Sequence, residues 1–159
     1  MVFNIAPVFA IEGKKIKIDY IIPGSDTDEL PRTSDVVVSG FIENKTGIVT
    51  LEIDCSYTLT ALCDRCAEEF SRDVSQHFTH LLVKELENED DDFIEVPTGE
   101  LDLDELIRED IILDLPYVFL CSEDCKGLCS QCGANLNKNP CACKQPIDPR
   151  LSALMDFLD

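Results

Sequence analysis

Cys129-Ser130-Gln131-Cys132 and Cys63-Asp64-Arg65-Cys66 share one spacing, which brings two sulfurs to the same side of a tight turn. Zinc takes four ligands at tetrahedral corners, and each such turn supplies two of them. Gly133 follows the first pair where a conformation cheap only for glycine leaves backbone N–H groups aimed at sulfur. Cys141-Ala142-Cys143 comes eight residues after Cys132, and Asn139 and Pro140 supply the intervening turn. Cys129, Cys132, Cys141 and Cys143 can therefore close a site among themselves, since so short a loop costs little entropy to close.

Cys63, Cys66, Cys121 and Cys125 make a second group of four, joining points about sixty residues apart in the chain. The ninth cysteine, Cys55, alternates with Val49, Leu51, Ile53, Tyr57 and Leu59 and reads as a small core residue. Each group is all-cysteine and closed, with no open position for water or substrate, so a bound ion would be structural. Four thiolates suit zinc or iron. Two zinc ions are expected, with one ion at the compact group as the alternative. Thiol redox chemistry is the competing use of a CxxC pair, but it needs a helix N-terminus at the pair, and neither pair opens a clear helix.

The elements that position these turns are mostly strands. Residues 48–61, IVTLEIDCSYTLTA, alternate apolar and polar, as a half-buried strand does. Weaker alternation at Lys15 to Ile22 and at Asp35 to Ile42 adds strands, and Asn44 to Gly47 has turn chemistry. Phe70 to Leu86 fits either period and is read as a strand pairing with residues 48–61. Asn88 to Asp92 is an acidic loop. An amphipathic helix is expected over about 102–115: Asp102 and Glu105 form a capping box, Leu103, Leu106, Ile107 and Ile111 form a stripe, and Pro116 stops it. A short final helix should start at Asp148-Pro149 and present Leu151, Leu154, Met155 and Leu158 on one face. The expected class is α+β: a mainly antiparallel β domain over 1–116 and a Cys-rich, zinc-knuckle-like arm over 117–159, integrated as one domain.

Charge and composition exclude several functions. The chain has 32 acidic and 13 basic residues, a formal net charge of −19, which would repel RNA or DNA at long range and argues against nonspecific nucleic-acid binding. Lys84 to Asp114 alone holds fourteen acidic and two basic residues, which reads either as a solvated, solubilising face or, more sharply, as a surface that attracts a basic protein partner. There is no long apolar run and no signal-peptide pattern, so no membrane association is expected and the sequence points to the cytoplasm. In a reducing compartment nine cysteines favour a metal site over disulfides. His77 and His80 lack a sequence partner, there is no phosphate-binding glycine loop, and no carboxylate spacing marks an acid/base pair. A non-enzymatic role is expected.

CDRC at 63–66 after a long strand, REDIILDLP at 108–116, CKGLCSQCGANLN at 125–137 and DPRLSAL at 148–154 together resemble the YceD family, the large ribosomal RNA subunit accumulation proteins of bacteria and plastids. The resemblance covers most of the chain from about residue 34 onward. It implies a role in the synthesis, processing or stability of large-subunit ribosomal RNA, hence in ribosome assembly. With the charge, it suggests engagement of a basic ribosomal protein or a pre-ribosomal particle. The rival readings are a factor that binds or processes RNA directly, and a thiol-redox or iron-sulfur protein.

Overall fold

The computed structural model describes residues 1–24, 31–85 and 93–143. The expected acidic loop at 88–92 and the final helix from Asp148 lie outside the described residues. The chain divides into two compact units: residues 1–61 with 71–117, and residues 62–70 with the described residues from Val118 onward. No described helix is long and apolar enough to cross a membrane.

The first unit is built on β2 (Lys15–Ile22), β4 (Val36–Lys45), β5 (Ile48–Leu62), β6 (Glu69–Val83) and β7 (Phe93–Glu95), adjacent in that order. A two-residue β3 (Arg32–Thr33) pairs with β5 at Thr60 and Leu59. In β5 every second residue from Val49 to Ala61 is buried, Cys55 among them, so the alternation read from sequence is the core face of the sheet. β4 and β5 join through Thr46 and Gly47, both at positive φ (53° and 88°), the geometry that matches hairpin twist. The buried Asn44 braces this turn: its Nδ2 donates to the Val8 carbonyl at 2.8 Å, and its Oδ1 accepts the Gly47 N–H at 3.0 Å. β6 is a strand beside β5, as expected for Phe70 to Leu86, and Thr58–Asp73 and Thr60–Ser71 link its side chains to β5.

The helix of the acidic segment is α2 (Leu103–Leu113), two residues shorter at its end than the range of about 102–115 expected from the sequence. The Asp102 carboxylate accepts the Asp104 N–H at 3.0 Å and so caps a backbone donor that the helix start leaves orphaned. Leu103, Ile107 and Ile111 are buried, while Leu106 is only half-buried. His80 of β6 meets Asp110 of α2 at 2.8 Å.

Three features were not anticipated. β1 (Val2–Asn4) and β8 (Glu100–Asp102) form a two-stranded sheet, because residues a hundred positions apart pair. A one-turn helix α1 (Ala6–Ala10), with Pro7 in its first turn, buries Val8. Finally, β7 pairs with β6 in parallel, so the sheet is mainly but not wholly antiparallel.

Candidate metal centres

Both cysteine groups assemble in the second unit. Leu62–Phe70 form the tip of the β5–β6 hairpin, and Cys63-Asp64-Arg65-Cys66 turn within it. The Ala67 N–H donates to the Cys63 carbonyl at 2.8 Å, with Ala67 at φ 55°. Gly133 repeats this arrangement after the other pair, donating to the Cys129 carbonyl at 2.9 Å with φ 71°. Gly133 was legible as a signal; Ala67 adopts the same left-handed conformation without glycine's freedom, so sequence gave no sign of it.

Asp64 fixes the incoming segment. Its backbone N–H donates to the Phe119 carbonyl at 2.8 Å, and its carboxylate accepts the Phe119 N–H at 2.6 Å. Arg65 does not reach sulfur; its guanidinium donates to the Cys125 carbonyl at 3.1 Å, while its own carbonyl accepts the Leu128 N–H at 3.0 Å. Gly127, at φ 72°, lies so close that a Cβ would sit 2.9 Å from the Arg65 carbonyl oxygen.

These contacts bring the Sγ atoms of Cys63, Cys66, Cys121 and Cys125 within 4.8 Å of one another, and those of Cys129, Cys132, Cys141 and Cys143 likewise. Cys63–Cys125 and Cys66–Cys121 are each 3.8 Å apart, and all nine cysteines are free thiols. Four sulfurs about 2.3 Å from a central zinc ion would stand about 3.8 Å apart along the edges of the tetrahedron. The donor set and spacing therefore fit a metal ion. Cys63, Cys66 and Cys125 are buried, whereas Cys132 and Cys143 are exposed.

The electrostatics point the same way. Backbone N–H groups, that of Cys121 foremost, draw the Cys63 thiol down to about 6. Cys125 is lowered chiefly by the Asn137 amide. At Cys66 the Glu68 N–H pulls down, but burial and the surrounding sulfurs outweigh it and push the thiol up to about 12. The compact group repeats the split: the N–H groups of Cys132 and Gln131 lower Cys129 to about 6, and the Cys132 sulfur raises Cys143 to about 12. N–H donors thus ready some thiolates in each group, while like charge opposes the others until a cation neutralises them.

Neither CxxC pair opens a helix among the described residues. Elsewhere, His77 Nδ1 lies 2.8 Å from Asp54, and Thr79 Oγ1 lies 3.3 Å from His77 Nε2. That is the order of an activated hydroxyl, but the His77 and Asp54 side chains are 56 % and 67 % exposed on an open strand face, where water surrounds the hydroxyl. In a groove of about 310 Å³ between β5, β6 and the end of α2, Tyr57 is hydrogen-bonded to Gln76 and Gln76 to Asp114.

Comparison with known proteins adds a family match. The family model described as large ribosomal RNA subunit accumulation protein YceD matches residues 51–158, from β5 through both cysteine groups. The chain is 27 % identical, over 149 aligned residues, to the large ribosomal RNA subunit accumulation protein YCED homolog 1, chloroplastic, of Arabidopsis thaliana; the match covers 74 % of this chain and 46 % of that protein. The Zea mays protein of the same name is 28 % identical, with coverage of 74 % and 51 %. An uncharacterized protein of Mycobacterium tuberculosis is 37 % identical over 70 residues, covering 44 % of this chain and 34 % of that one. The chain thus spans a third to a half of the length of these relatives. No solved structure matches.

Proposed function

The chain belongs to the YceD family of large ribosomal RNA subunit accumulation proteins, and from that premise we propose that it is a non-enzymatic ribosome-biogenesis factor. It acts in the cytoplasm on a basic large-subunit protein or on a pre-ribosomal particle, supporting the synthesis, processing or stability of large-subunit ribosomal RNA. The observation that carries this reading is the family match over residues 51–158. The charge supplies the mode of action. A formal charge of −19 repels naked RNA but attracts the basic surfaces that ribosomal proteins present before they meet RNA. Each Cys₄ group holds one zinc ion, which stands in for the core that a loop-rich unit cannot build.

The test is affinity capture from growing cells, followed by binding of the purified partners at several salt concentrations. The expected result is recovery of large-subunit components and salt-sensitive binding to a basic ribosomal protein. Tight, salt-sensitive binding to naked ribosomal RNA, with no affinity for large-subunit proteins, would instead establish direct RNA action. Capture that yields no ribosomal component would count against the family role itself.

A further inference from the structure

We propose that Asn137 couples the two cysteine centres, so that filling one prepares the other; the inference rests on the metal reading above. Asn137 belongs in sequence to the compact group, in the loop between Cys132 and Cys141. Its side chain nevertheless serves the other group, with Nδ2 donating to Cys125 Sγ at 3.2 Å. The amide cannot be turned round, because its Oδ1 accepts the Lys126 N–H at 2.8 Å and so the nitrogen must face the sulfur.

What holds Asn137 there is the closed form of its own loop. The Asn137 N–H is held by Asn135 Oδ1 at 2.9 Å, the Leu136 N–H by the Gly127 carbonyl at 2.9 Å, and the Cys129 N–H by the Ala134 carbonyl at 2.8 Å. A metal on Cys129, Cys132, Cys141 and Cys143 would pin both ends of this loop. Without it the eight residues between Cys132 and Cys141 lose their closure, and Cys125 loses a donor that steadies its thiolate. Coupling of this kind is reciprocal: an ion on the Cys63 group, by fixing Cys125, holds Asn137 and favours closure of the compact loop.

Zinc titration of the full chain, followed by native mass spectrometry and chelator competition, tests this. Wild-type protein should pass from the metal-free to the two-zinc form with little one-zinc species. Asn137→Asp keeps an acceptor for Lys126 but removes the donor to sulfur. It should weaken the Cys63 group about ten- to a hundredfold and let a one-zinc form accumulate. Cys132→Ser, which opens the compact site, should weaken the Cys63 group by a similar factor, and the double variant should add little more. Lys17→Gln removes only a solvent-exposed ion pair with Asp19 in the first unit and should titrate like wild type. Asn137→Asp and Cys132→Ser proteins that fill the Cys63 group with wild-type affinity would overturn the coupling while leaving the metal reading intact. A wild-type chain that takes up no metal would overturn both.

Discussion

Stripping the metal is expected to unfold residues 62–70 and 118–143 while the sheet of residues 1–61 and 71–117 stays folded. The second unit contains no strand longer than the tips of β5 and β6 and no helix among its described residues. Its buried apolar side chains are mainly the cysteines themselves, with Phe70 and Leu120 packed beside them. A core of this size is too small to offset the ordering entropy of the unit by itself, whereas binding of a structural zinc ion is coupled to folding and adds its free energy to it. Cys66→Ser should act as chelation does, because it leaves the Cys63 group one thiolate short of a closed tetrahedral site. Acid should act in the same direction, since protons compete with the ion for the thiolates. Amide hydrogen exchange checks this: protection should vanish at 63–67 and 126–139 and persist in the interior of β5. Unchanged protection in the metal-free protein would remove the structural role of the metal.

Gly40→Val should abolish the folded first unit. Gly40 lies on the core face of β4 between Val38 and Ile42, opposite Ile18 on one side and Ile53 on the other. A Cβ there would stand 2.1 Å from the Glu52 carbonyl oxygen and 3.0 Å from the Ile53 Cα, both backbone atoms that no side-chain rotation can move. The central strand pair must separate to admit it, which breaks the ladder and opens the core over both strands. A cost above about 3 kcal/mol is expected, beyond ordinary overpacking. Ser39→Ala, one residue away on the exposed face, should stay within about 0.5 kcal/mol of wild type. Denaturant unfolding compares them, and a stable Gly40→Val protein would show that β4 and β5 do not pair in this register.

Some of this was legible in the residues because it rests on local rules. The alternation from Val49 to Leu59 marks β5, since a strand buried on one face repeats every two residues. Asp102 marks the start of α2 because capping needs only nearby backbone. The compact four follow from their spacing and the other four are the cysteines this leaves beside Cys55; the structure brings the Sγ atoms of each four within 4.8 Å of one another. What stayed hidden depends on distant partners. Val2 pairs with Asp102, and three-residue strands such as β1 and β7 carry too few residues for a period to show. The Asn137 amide reaches Cys125 from twelve positions away, which no helix or strand periodicity encodes. Ala67 takes a positive φ where glycine would have announced the turn.

If two metal ions hold the cysteine unit, the metal content of protein purified without added zinc reveals them. Native mass spectrometry, supported by elemental analysis, should find two zinc ions per chain and no disulfide, with both ions lost together with the structure of residues 62–70 and 118–143. A chain that is fully folded, metal-free and carries nine reactive thiols would contradict the two-ion assignment.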